Sequence, residues 1–145
     1  MSRFLFRALR ENEIRAGNIL VPKAQGEFVA EPRLDVDTRL DEVVLVRTRE
    51  YAVRQHQWQQ NGFPTSGISA TPHIDRAKYY CQHGVIVKID RYLLPGHGIQ
   101  EFFVKEWLGK HPEDIANSND DEVILVSETG RFPSHIIVEI VQTRY

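Results

Sequence analysis

Thr65-Ser-Gly-Ile-Ser-Ala-Thr-Pro-His-Ile-Asp-Arg-Ala-Lys-Tyr-Tyr80 is the stretch whose reading decides the fold. Its first half is small, hydroxyl-rich and extended in character. Pro72 stands where a helix can open, and Ile74, Ala77, Lys78 and Cys81 then recur at helical spacing. The stretch therefore predicts strand, tight turn, helix. Ser69 and Thr71 are two apart, so on a strand they share a face beside the turn. Two hydroxyls so placed have two readings: caps for the helix that follows, or braces for a buried charged group. Thr71, next to Pro72, suits the cap, and Ser69 suits the brace.

Working outward, His83-Gly84 ends the helix and Val85–Asp90 reads as a core strand. Upstream, Phe4 to Leu9 is a first strand, with Phe4, Phe6 and Ala8 on one face and Leu5, Arg7 and Leu9 on the other. Arg7 is the oddity of that pattern. A guanidinium between two leucines must reach solvent or find an anion, because burial without a partner is costly. Arg10 to Gly17 predicts a short helical turn stopped by glycine, and Asn18 to Pro22 a second short extended piece. Lys23 to Thr38 has no sustained period and predicts a loop. Thr38 to Gln60 predicts a helix ended by Gly62-Phe-Pro64, with a strand at Glu42 to Val46 as the competing assignment.

Beyond the central strand, Tyr92 to Gly98 is a turn region, and Glu101 to Leu108 suits a strand or a short amphipathic segment. Lys110 to Asp121 is polar loop. Glu122-Val-Ile-Leu-Val126 is a strand with an acid at its entrance, and Ile136 to Val141 is the last strand. Asp41-Glu-Val-Val-Leu-Val46 nearly repeats Asp121-Glu-Val-Ile-Leu-Val126, but nothing longer repeats around them, so the chain is not duplicated. Helices early and strands late make an α+β class rather than alternating βα units. Neither a Gly-x-Gly-x-x-Gly nor a phosphate-loop lysine is present.

The 145 residues suit one domain spanning 1–145, and a 41% apolar content suffices for one core. A formal net charge of −2 argues against a generally basic nucleic-acid binder. Two arginine groups, Arg47/Arg49/Arg54 and Arg3/Arg7/Arg10/Arg15, read as solvated faces. No apolar run of about 18 residues occurs, so no membrane partner is expected. Arg3, Arg7 and Arg10 interrupt the apolar N-terminal segment that a signal peptide needs, which points to the cytoplasm. Cys81, the single cysteine, excludes an intrachain disulfide and a cysteine metal cluster, and its place on the helical apolar stripe makes it core filler. No metal site is expected.

An arginine in the first strand, Ser-x-Thr in a mid-chain strand before a helix, and a glutamate opening a late strand stand here in a particular order. That order resembles the Arg, Ser-x-Ser/Thr, Glu toxin-like branch of the ADP-ribosyltransferase superfamily. Leu5-Phe-Arg-Ala8, Gly67-Ile-Ser-Ala-Thr71, Ala77-Lys-Tyr-Tyr80, Val85-Ile-Val-Lys-Ile-Asp90 and Asp120-Asp-Glu-Val-Ile-Leu125 carry the resemblance. It implies a split mixed β-sheet core with short flanking helices. It also implies NAD as co-substrate and transfer of ADP-ribose to a macromolecular acceptor, protein or nucleic acid, by a toxin, effector or defence protein that a neutralising antitoxin or immunity partner can accompany. Arg7 would contact NAD near its phosphates or nicotinamide ribose, Ser69 and Thr71 would brace the pocket, and Glu122 would contact the nicotinamide-ribose hydroxyl. Breaking the nicotinamide N-glycosidic bond builds an oxocarbenium-like charge that a fixed carboxylate stabilises, and a diphosphate suits a planar guanidinium.

Two departures bear on the substrate. Ser-Ala-Thr stands where many members have Ser-Thr-Ser, and Asp120 stands where arginine-modifying members have Glu, so Asp120 is the candidate acceptor-binding residue and leaves the acceptor open. Tyr80, with Tyr79, offers a ring to nicotinamide or adenine, or fills core. The competing classes are an RNA-acting enzyme, either a 2′-phosphotransferase of related fold or a nuclease using His56 or His73, and a non-catalytic binding module of the same fold.

Overall fold

Two three-stranded sheets meet along a single pair of residues. The computed structural model describes residues 2–23, 53, 66–108, 115 and 118–143. Its elements run β1 (Phe4–Ala8), α1 (Glu11–Arg15), β2 (Ile68–Ala70), α2 (Ile74–Tyr80), β3 (Val85–Asp90), β4 (Ile99–Phe103), α3 (Val104–Trp107), β5 (Val123–Ser127) and β6 (Ile137–Gln142). One sheet has the order β1-β3-β6 and the other β2-β5-β4. Where a mixed sheet is expected from sequence, every described ladder is antiparallel. The sheets join where Phe6 and Thr71 exchange backbone hydrogen bonds, Phe6 N–H to Thr71 O at 2.7 Å and Thr71 N–H to Phe6 O at 2.9 Å. Across that seam the strand order becomes β4-β5-β2-β1-β3-β6.

Side-chain alternation decides what fills the space. Leu5 and Leu9, with Val87 and Ile89, pack against Ile68, Ala70, Ile99, Val123 and Leu125 of the other sheet, forming a core shared between them. Phe6, Ala8 and Ile86 point the other way and are covered by Ala77 of α2 and by Cys81, just past its end. On the second sheet, Phe102, Ile124 and Val126 are covered by Val104, Leu108 and Val53. β5 therefore has core on both faces and is buried at every position, which is why it reads as an unbroken apolar run. Burying each such side chain contributes about 1.5–3 kcal/mol before the ordering cost is counted.

Strand, turn and helix follow from residue 68 as expected, and the helix stops at Tyr80. The 101–108 segment proves to be both alternatives in succession, strand to Phe103 and helix from Val104. Asn18 to Pro22 forms no strand. It runs beside α1, where the Val21 N–H donates to the Glu13 carboxylate and its carbonyl accepts from Arg10, so side chains satisfy backbone groups that a ladder would otherwise pair. Of the arginines expected as a solvated face, Arg3 and Arg15 are exposed, pairing with Asp90 and Glu11, whereas Arg7 and Arg10 are turned onto Glu13. The expected 23–38 loop lies outside the described residues beyond Lys23. Of the expected 38–60 helix only Val53 is described, helical and fully buried. Among the described residues no helix is long and apolar enough to cross a membrane.

Candidate active site at the seam of the two sheets

Arg7 finds its anion inside the chain. Its guanidinium bonds Glu13 through both Nε (3.2 Å) and NH2 (2.9 Å), and NH1 donates to the backbone carbonyl of Ser69 at 2.8 Å. Glu13 has no exposed surface. Its oxygens also accept the backbone N–H of Arg10 (3.0 Å), which fixes the start of α1, and that of Val21 (3.0 Å). Burial pushes the Glu13 carboxyl upward, but the Arg7 charge and bonds, with the two backbone donors, outweigh it and hold the group below its ordinary range. Arg10 and Lys23 stand around the same acid. Burial, followed by repulsion from Arg10 and Arg7, lowers the Lys23 ammonium pKa. Three cations thus surround one carboxylate.

Three of the five N–H donors of Arg7 are engaged, leaving two. Sequence alone gives no sign of this arrangement, because Glu13 on a five-residue helix looks like ordinary surface. Its capping relation to Arg10, three residues earlier, is the one signal that could have found it.

Ser69 and Thr71 do different jobs. The Ser69 hydroxyl donates to Glu122 Oε2 at 3.2 Å, so the residue expected to brace Arg7 holds Arg7 by its backbone and Glu122 by its side chain. Glu122 lies immediately before β5, whose Ile124 is the cross-strand partner of Ser69. The seam thereby brings residues 7, 69 and 122 together through one serine. Thr71 is the turn residue: its Oγ1 accepts the His73 backbone N–H (3.1 Å) and donates to the Asp120 carbonyl (2.5 Å).

Asp120, expected at the acceptor, is buried, and its carboxylate is taken up by α2. Oδ1 accepts from Arg76 Nε and Oδ2 from the Tyr80 hydroxyl, each at 2.7 Å. Burial and the bond to Asp120 raise the Tyr80 pKa, so the phenol stays protonated as donor. Arg76 in turn lies over the Tyr79 ring at 4.6 Å, and the Tyr79 and Tyr80 rings meet edge to face at 5.1 Å. Tyr79 is 71% exposed and Tyr80 47%, so neither ring is core. Asp121 adopts a left-handed φ of 45° and binds His73 Nε2 at 2.6 Å and Lys105. Cys81 is buried and packs with Ala77 and Ile86, as a filler should.

Among the described residues no group of three or more His, Cys, Asp or Glu is placed to hold a metal ion. His56 lies outside the described residues. A groove of about 300 Å³ between the Gly17–Asn18 turn and β6 contains none of the residues above. We give the seam precedence because a reaction site is defined by converging polar groups, and that groove offers few. No protein-family model matches the chain, and neither does any curated protein or solved structure.

Proposed function

We propose that the chain is an NAD-dependent mono-ADP-ribosyltransferase acting on a macromolecule. The observation that carries this is the Ser69 bridge: one residue accepts Arg7 on its carbonyl and donates its hydroxyl to Glu122. Three residues singled out for three separate chemical reasons thus meet at a junction between two sheets. In the proposed reaction Glu122 stabilises the oxocarbenium-like charge on the nicotinamide ribose. The two remaining Arg7 donors, together with the cation excess around Glu13, suit a diphosphate. Tyr80 and Tyr79 offer exposed rings for nicotinamide or adenine. A macromolecule, and with it a neutralising partner and a cytoplasmic setting, belongs to this same proposal.

Glu122→Gln keeps the size and the Ser69 contact but removes the charge. Nicotinamide release from NAD in the presence of cell lysate should fall by on the order of 10²-fold or more, with the thermal melt unchanged. Release at the parent rate would remove Glu122 from the chemistry. A second reading, a non-catalytic module of the same fold, is favoured by how fully Glu13 occupies Arg7. It requires that the parent chain release no nicotinamide with or without lysate.

A further inference from the structure

We propose that His73 is the proton acceptor for the incoming nucleophile, held in place by Asp121; the inference rests on the transferase reading above. His73 stands at the N-cap of α2, its backbone fixed by Thr71 Oγ1. The ring, with 49% of its side-chain surface exposed, places Nε2 at 2.6 Å from Asp121 Oδ2 and makes no other hydrogen bond among the described residues. With Nε2–H donating to the carboxylate, Nδ1 carries the lone pair, which is the tautomer a general base needs.

Asp121 is built for the task. Its φ of 45° is unfavourable for a residue with a side chain and persists only where the surroundings hold it. Lys105 binds the other carboxylate oxygen, and Lys105, then His73, hold the carboxyl below its ordinary range. The remaining titratable groups at this turn, Asp120, Arg76 and Tyr80, close on one another and leave the imidazole to Asp121. The next residue along the chain is Glu122, bound to Ser69. The residue that holds the base, Asp121, and the carboxylate that stabilises the ribose cation, Glu122, are therefore consecutive, and the Asp120 carbonyl before them is tied to Thr71, two residues before His73.

In the step proposed, the bond from the ribose anomeric carbon to the nicotinamide nitrogen breaks and its electron pair leaves with neutral nicotinamide. A lone pair on the acceptor forms the new bond to that carbon. The acceptor's proton passes to His73 Nδ1, and the imidazolium, paired with Asp121, returns it to water. No oxidant, reductant or metal is required.

The test is nicotinamide release from NAD in cell lysate, with and without added free imidazole, for the parent chain, His73→Gln and Asp121→Asn. His73→Gln should be slower by about 10²-fold and regain rate when free imidazole is added. Asp121→Asn keeps the ring but removes the charge that orients it and pairs the imidazolium, and should also be slower; this variant carries the test if His73→Gln loses its thermal transition, and release by it at the parent rate would overturn the proposal. A His73→Gln chain that keeps the parent rate overturns the proposal while leaving Glu122 in place. A slow His73→Gln that ignores imidazole overturns it too, as a merely structural effect. No release by the parent chain overturns both this inference and the transferase reading.

Discussion

Glu13 accepts four hydrogen bonds, two on each oxygen, from two guanidinium nitrogens and two backbone N–H groups, with no contact with water. Such a pair costs much to desolvate, so its net worth is small, but breaking it leaves a buried charge alone. Glu13→Gln is expected to destabilise the fold by about 3–5 kcal/mol in urea denaturation at neutral pH; a loss within 1 kcal/mol would mean that Arg7 finds another anion. The sign of the pH effect follows from the depressed carboxyl. Its contribution is complete above the unfolded carboxylate value of about 4.3 and fades as pH falls through the lower folded value. Stability should therefore drop on acidification in the parent chain and drop less in Glu13→Gln. Arg7→Lys, which on sequence grounds tests NAD binding, is a poor probe here. Lysine has no fork to match Glu13, so lost structure and lost affinity would be confounded.

At the level of elements, the passage from β2 to α2 rests on Thr71, which meets the His73 N–H and the Asp120 carbonyl with one hydroxyl. Thr71→Val preserves shape and removes both bonds, leaving buried polar groups unpaired, and should cost about 1–3 kcal/mol by thermal or urea melting. An unchanged midpoint would show that water replaces the hydroxyl. This element was legible before any coordinates, since hydroxyl spacing, proline and helical period all point the same way. β1, β3 and β5 were legible for a similar reason, as runs of alternating or continuous apolar residues between turn signals. What sequence concealed is pairing across distance. Arg7 with Glu13, and Asp120 with Arg76 and Tyr80, are bonds made by folding between residues whose local patterns look like surface. That is why Asp120 reads as an acceptor contact when its carboxylate is engaged by α2.

For the molecule as a whole, the seam is thin. Strands β1 and β3 share five paired positions, whereas among the described residues the two sheets are bridged by backbone pairing only between Phe6 and Thr71, just past β2. Separating the sheets outright breaks those two bonds and the Arg7–Ser69 bond and uncovers the core the sheets share, but a local breach at the bridge breaks the two backbone bonds alone, with no ladder neighbour to hold them. Local openings of lower free energy exchange faster. Amide hydrogen exchange should accordingly show less protection at Phe6 and Thr71 than at Val87 and Ile89, the middle of the first sheet. Equal protection would mean that the two sheets open only as one body. Alternation marks the strands but not where pairing stops, because each ladder obeys the same period; a split is expected only from the resemblance, and its position at Phe6 and Thr71 is not.

The left-handed turn at Asp121 has a consequence for Asp120-Asp-Glu122 as a run. By composition it is an acidic patch in which any member could stand in for another. In space it is a three-way junction: the first acid is addressed to Arg76 and Tyr80, the second to His73 and Lys105, the third to Ser69. Charge is shared among neighbours, but address is not. Sliding the run by one position would preserve its charge and misdeliver every one of its carboxylates.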